Sequence, residues 1–349
     1  MPTSPVPFNP ARLRIARLRL GHSLTRLAEN SNVSLRSLTE YETGKRPPSV
    51  ENLTKLAEAL DVPPTFFYRE SIDSVPVETA SFRKLSKASA GRRNAVLASA
   101  ALTLEFFAEI DKRFELPTPS VPTHDKLSPG HAADLTRSQW NLSDRPISNL
   151  VHLLESKGVR IASLSHDYLD IDAFCFYRDA IPYAFVNTGK SAERQRFDLA
   201  HELGHLVLHS EIDMDPSTSK EREAQANEFA STFLMPASAV LSQSMSGATI
   251  ERILAARSYW KVSGMAMTHR LHELHLLSDW QYRTACMTLS ERGFRSSEPG
   301  GIVPETSQLL RKVVYGNDAN LRVRDAAAAL DLNPAEVRDY MRHLVPLTA

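Results

Sequence analysis

Apolar side chains recur at helical spacing along most of the chain, and in one stretch only do they alternate as strands require. Leu13, Ala16 and Leu20, then Leu24, Leu27 and Ala28, mark two short amphipathic helices separated at Gly21. Val33, Leu38 and Tyr41 mark a third, with Ser34 as its N-cap, and after the turn Thr43-Gly-Lys-Arg-Pro-Pro48 a fourth begins at Ser49. Pro63 and Pro64 open a short fifth towards Phe67. A long apolar-rich helix is expected over roughly Arg92 to Phe114; Pro117, Pro119, Pro122 and Pro129 break the chain after it, and Pro146 stands near the start of a helix running to Ser156. Val159 to Leu164 reads as a strand, and Ala173 to Tyr177 with Ile181 to Asn187 reads as a hairpin. Further on, Glu251 to Leu276 reads as helix, break and helix, and Val323 to Leu344 as two short helices around Leu332-Asn-Pro334, where a further recognition or dimer module is one reading.

His201-Glu202-Leu203-Gly204-His205 follows the hairpin on a helix whose stripe continues through Leu206, Val207 and Leu208. At 3.6 residues per turn His201 and His205 share a face, so both rings can reach one tetrahedral ion, and Glu202 is placed to act as general base on a water there. The bland alternative is a buried helix whose histidines merely hydrogen-bond. The next helix offers carboxylates at Glu221, Glu223 and Glu228. Glu223 is the expected third ligand, because Asn227, four residues on, shares its face and can hydrogen-bond a ligand histidine from behind, while Ala226, Phe229, Ala230 and Phe233 pack inward. Glu221 is the competing choice, and Glu228 is expected in solvent. No oxyanion donor can be named; His209 and Tyr183 are near in sequence. Ala184 to Asn187 has two readings, an edge strand that holds substrate backbone in extended form or a purely structural strand.

Through Arg196-Phe-Asp-Leu-Ala-His-Glu-Leu-Gly-His-Leu-Val-Leu-His209 and Glu223-Ala-Gln-Ala-Asn-Glu-Phe-Ala-Ser-Thr-Phe-Leu-Met-Pro236, residues from about Phe82 to Leu289 resemble the ImmA/IrrE family of metallopeptidases. The resemblance implies a zinc site of gluzincin type, with the downstream Glu223 as ligand, and cleavage of protein substrates such as helix-turn-helix repressors. Two imidazoles and a carboxylate suit zinc, though manganese or iron can use the same donors.

Residues 1–70 carry ten Lys or Arg against seven Asp or Glu, four of the arginines falling between Arg12 and Arg19. On several short helices with a tight turn before the third, this modest basic footprint suits a helix-turn-helix domain. The string from Leu24 to Val62 resembles the phage-repressor (XRE/Cro) class. It departs at Arg26, where that class often has a glutamine, which leaves phosphate contact intact and puts part of the base readout in doubt. With the third helix in the major groove, Arg36, Ser37, Thr39 and Glu40 are expected at base edges, and Arg17, Arg26, Lys45 and Arg46 at phosphates. Such domains also serve protein contacts alone. A second basic cluster, Arg83-Lys84 with Arg92-Arg93, is a supplementary DNA contact or a solvated linker.

The chain has 349 residues, 42% of them hydrophobic, and a formal net charge of zero, enough for two or three domains with sizeable cores. No apolar run approaches a membrane span and the polar, proline-rich start has no signal-peptide pattern, so a cytoplasmic protein without membrane partners is expected. Cys175 and Cys286 give no disulfide framework. The expected fold is mainly α with a small β-sheet (α+β). Residues 1–72 form a five-helix repressor-like domain, 73–130 a helical linker, 131–245 a zincin-like metallopeptidase domain with a short sheet beside the metal helix, and 246–349 a helical, partly helix-turn-helix-like region. Two functions fit. In one, a homodimeric DNA-binding regulator cuts a repressor- or antitoxin-like protein; in the other, the zinc domain is a sensor or interaction module with little or no proteolysis.

Overall fold

The computed structural model describes residues 7–72, 75, 89–164, 171–209, 218–295, 297–316 and 321–346, and these are mainly helical with one three-stranded sheet. The expected loop at 74–80 and the basic pair Arg83-Lys84 fall almost wholly outside the described residues. Two compact units divide the chain: residues 1–116, 164–168 and 309–342 form one, and 117–163, 169–308 and 343–349 the other. Among the described residues no helix is long and apolar enough to cross a membrane.

In the first unit, side-chain oxygens start the helices. Asn9, Ser23, Ser34 and Ser49 cap α1 (Pro10–Arg19), α2 (Leu24–Ser31), α3 (Leu35–Glu42) and α4 (Val50–Ala59), each accepting from a backbone N–H of the first turn. A 3-10 turn, Pro64–Tyr68, closes the bundle. Leu13, Leu27, Leu38, Leu56, Leu60 and Phe66 are wholly buried. Leu13, Leu27 and Leu38 are among the positions that the helical period marks, whereas Leu20, marked with them, is 37% exposed. The long α5 (Ala90–Asp111) packs against α1, where Arg12 forms a two-pronged pair with Glu105. Two C-terminal helices, Val323–Leu330 and Pro334–Tyr340, belong to this unit as well. Arg69 bonds Asp331 at 3.0 Å, and Tyr340 meets Phe106 with ring centres 5.8 Å apart. The C-terminal helix pair therefore has one face committed to packing within its own unit.

The second unit begins with α6 (Pro129–Gln139) and α7 (Leu150–Ser156). Pro129 starts a helix here and does not merely break the chain, since proline's fixed φ and missing N–H suit the first helical turn. The sheet contains β1 (Arg160–Ser163), β2 (Ala173–Arg178) and β3 (Ile181–Val186) in the order β1-β3-β2. β2 and β3 form the expected hairpin, turning at Asp179 and Ala180 with φ of 51° and 63°. β3 pairs with β1 on its other side, in parallel. The edge-strand reading of Ala184 to Asn187 is thereby corrected: Ala184, Phe185 and Val186 have strand partners on both flanks.

The helix that carries His201 and His205, α8 (Ala192–Leu208), lies against β2, whose Cys175 Sγ donates to Glu202 O at 3.3 Å and whose Tyr177 hydroxyl donates to Leu206 O at 3.4 Å. Its lower half is anchored by buried Arg196, which pairs with Glu305 and donates to Ile147 O. Glu305 also accepts from the first amides of α7, Leu150 N at 2.8 Å and Val151 N at 3.2 Å. α9 (Ser219–Leu234) crosses α8, and α10 (Ala237–Ser242), α11 (Ile250–Trp260), α12 (Gly264–Glu273) and α13 (Asp279–Glu291) complete the unit around buried Trp260, Leu271 and Leu289.

Candidate functional site

The helical period of α8 puts His201 and His205 on one face, and the crossing with α9 brings a carboxylate to them. His205 Nε2 is 3.1 Å from His201 Nε2 and 3.3 Å from Glu223 Oε1, while His201 Nε2 is 3.7 Å from Glu223 Oε2. A tetrahedral ion about 2.0–2.1 Å from each donor requires donor separations of about 3.3 Å, so this triangle has the size of one face of a zinc polyhedron. Among the described residues it is the one cluster of histidine, cysteine and acidic side chains tight enough to hold a metal. Zinc fits the donor set. Glu202 follows His201 in the chain and is buried, with 4% of its surface exposed.

Crossing geometry depends on Gly204. A Cβ there would lie 3.1 Å from Phe229 Cδ1 and 3.2 Å from both Cα and O of Ala226, so only glycine lets α9 approach without displacement. An isolated glycine within an apolar helical pattern is the signal that could have drawn attention to it.

Both histidines have a partner behind the ring. Asn227 Oδ1 lies 3.0 Å from His201 Nδ1, the arrangement expected from the i, i+4 placement with Glu223. His205 Nδ1 lies 3.0 Å from His209 Nδ1, and His209 Nε2 lies 2.8 Å from Gln225 Oε1. Burial, reinforced by His209 and Arg222, holds the His205 pKa well below its ordinary value, and burial also lowers that of His209. Neutral imidazole is the form a metal ligand needs. Of the other nominated residues, Glu221 accepts from Gln225 and is exposed, Glu228 is exposed, and Tyr183 is buried against Phe176 in the sheet.

In the first unit, Leu35, Arg36 and Thr39 of α3 are exposed. The Arg36 side chain is 90% exposed, and Thr39, Lys45, Arg46 and Arg26 are exposed as well. Ser37 is half-buried, bonding Ser34 and accepting from Arg46 Nη2 at 2.8 Å. Glu40 pairs with both Arg36 and Arg46, and Arg46 lies over the Tyr41 ring at 5.4 Å. Arg17 differs from the expectation. It is buried, its Nε and Nη2 held by Glu42 at 2.6 and 2.8 Å and its Nη1 by His22 O at 2.6 Å, so the group expected at a phosphate is used inside the domain.

Comparison with known families agrees with both halves. Residues 13–67 match the family model described as Helix-turn-helix, and residues 154–272 match that of the IrrE N-terminal-like domain, a peptidase family. The chain joins a helix-turn-helix domain of XRE type to an ImmA/IrrE-like peptidase-family domain. No curated protein matches the chain.

Proposed function

We propose that this protein is a DNA-binding transcriptional regulator that also hydrolyses a peptide bond in a regulatory protein of repressor or antitoxin type. The observation that supports the reading best is the convergence of His201 Nε2, His205 Nε2 and the Glu223 carboxylate beside a buried glutamate at 202. These three side chains would hold zinc, and manganese or iron would find the same donors. When bound, zinc supplies a Lewis acid that polarises the scissile carbonyl and acidifies the attacking water. Glu202 takes the water's proton and delivers it to the leaving amine nitrogen, and Asn227 keeps the His201 ring in place by accepting from Nδ1–H.

DNA recognition is assigned to α3. Arg36 and Thr39, with Ser37 and Glu40 beside them, face base edges, while Arg26, Lys45 and Arg46 bind phosphates. Leu35, 47% exposed at the start of α3, adds an apolar contact of the kind that reads a thymine methyl. A homodimer would match a two-fold operator.

The test is direct. Zinc-loaded protein is incubated with helix-turn-helix proteins encoded nearby, alongside Glu202→Gln. Cleavage that drops by about 10²–10⁴ in the variant, with zinc content and operator binding retained, supports the proposal. Absence of cleavage above the variant's level rejects it in favour of a zinc domain that senses or binds without hydrolysis.

A further inference from the structure

His205 carries, on the ring nitrogen away from the metal-ligand triangle, a line of hydrogen bonds that ends at the surface. His205 Nδ1 is 3.0 Å from His209 Nδ1, His209 Nε2 is 2.8 Å from Gln225 Oε1, and Gln225 Nε2 donates to Glu221 Oε1 at 3.3 Å. None of His209, Gln225 and Glu221 belongs to the triangle of His201, His205 and Glu223.

The outer end fixes the direction of every proton. The Gln225 amide nitrogen donates to Glu221 Oε1, so its carbonyl oxygen faces His209. His209 Nε2 must then carry the hydrogen it donates. A neutral ring with hydrogen on Nε2 has its lone pair on Nδ1, so the remaining contact requires His205 to donate from Nδ1–H. His205 is left with its lone pair on Nε2, the nitrogen that faces His201 and Glu223. For His201 the same result is reached in one step, through Asn227.

We propose that His209, backed by Gln225 and Glu221, is the positioning group for His205: it selects the tautomer and ring orientation that let His205 bind a divalent transition metal. This rests on the reading of His201, His205 and Glu223 as a metal site. It gives Glu221 a task other than ligation. It also moves His209 out of the reacting centre, because its contact is with the back of a ligand ring. Metal-ligating histidines usually meet a carboxylate, carbonyl or water at this point; here a second imidazole takes the place, with an amide behind it. An amide accepts the hydrogen bond without adding a negative charge, so the line orients His205 and does not carry a proton away from it.

Zinc affinity of the full-length chain, measured by competition with a chromophoric chelator, tests the inference without reference to peptidase activity. The visible spectrum of the cobalt-substituted chain adds a signature of ligand geometry. His209→Phe preserves the ring's bulk and removes the acceptor; His209→Asn loses bulk and retains an acceptor near the Nδ1 position. A positioning role predicts that His209→Phe weakens zinc binding by about 10- to 100-fold and broadens the tetrahedral cobalt bands, while His209→Asn recovers most of the loss. A role in packing alone predicts the reverse order. Gln225→Leu should weaken binding less than His209→Phe, and it carries the test if thermal unfolding of the metal-free chain finds the His209 variants unfolded. Wild-type affinity in both His209→Phe and Gln225→Leu, or equal loss in His209→Phe and His209→Asn, overturns the inference and leaves the metal site standing. A wild-type chain that binds no zinc overturns both.

Discussion

Arg19 at the end of α1 donates through Nη1 to Glu336 Oε2 at 2.7 Å, a pair whose members are 317 positions apart in the chain. Arg19 also donates through Nη2 to Leu60 O at 2.6 Å, so one buried guanidinium ties the C-terminal helix Pro334–Tyr340 to the ends of α1 and α4. Burial raises the Glu336 carboxyl's pKa, and Arg19 opposes the rise. Removing one partner strands the other. Glu336→Ala is expected to destabilise the first unit by about 3 kcal/mol, and Arg19→Met with Glu336→Leu to cost less than either single change. Hydrogen exchange at α1 and α4 amides measures this; unchanged protection in Glu336→Ala would show that the pair does not support the helix-turn-helix domain.

Arg17 and Lys45 should separate by experiment, although both were expected at phosphates. Arg17 is held by Glu42 inside the domain, and Lys45 stands exposed in the turn after α3. Arg17→Ala should lower domain stability by about 3 kcal/mol and leave the salt dependence of DNA binding unchanged at temperatures where the domain is folded. Lys45→Ala should leave stability within about 0.5 kcal/mol of wild type and reduce the slope of log K against log salt by about 1. Titration with non-specific duplex DNA at several salt concentrations reads both. A reduced slope for Arg17→Ala would return it to the phosphate-contacting set.

Gly204→Ala sets two effects against each other. Alanine favours a helix interior over glycine by about 1 kcal/mol, yet its methyl would press on the Ala226 backbone at 3.2 Å. Because backbone cannot rotate aside as a side chain can, α9 must shift, and Glu223 shifts with it. Zinc affinity is expected to fall by about tenfold while thermal stability of the metal-free chain changes little. Unaltered affinity would mean that the crossing tolerates the methyl.

The parts legible in the sequence are those set by local rules. Serine caps, the helical period and the i, i+4 spacing of His201 with His205 and of Glu223 with Asn227 are each confined to a few turns, and the described geometry places these side chains accordingly. What escaped was decided by distant partners. Arg12, Arg17 and Arg19 read as a basic footprint because their acids, Glu105, Glu42 and Glu336, lie 93, 25 and 317 positions away. The central place of β3 depends on β1 pairing with it across the intervening β2, and period-2 alternation carries no such information. Gln225 and His209 meet only because α8 and α9 cross at Gly204.

Glu298 gives the second unit a pH dependence of definite sign. Its side chain is 7% exposed and accepts from Arg257 Nη1 at 3.0 Å and from Gly264 N at 3.3 Å, and burial still pushes its pKa up from 4.5 to about 6, with Glu193 adding to the rise. A carboxyl whose pKa is higher folded than unfolded binds more protons in the folded state across that interval. Stability from this group is therefore greatest below about pH 4.5, declines as pH rises to about 6, and stays lower above it, by about 2 kcal/mol in all. Glu298→Gln removes the charged form. The variant should gain on wild type between pH 4.5 and 6.5 and hold an advantage of about 1–2 kcal/mol at pH 7. Trp140, Trp260 and Trp280 all fall in the second unit, so urea unfolding followed by tryptophan fluorescence reports on the unit that holds Glu298. A difference between variant and wild type that is flat from pH 4.5 to 7, or of opposite slope, would show that Arg257 and the Gly264 amide outweigh burial and keep Glu298 ionised at little cost.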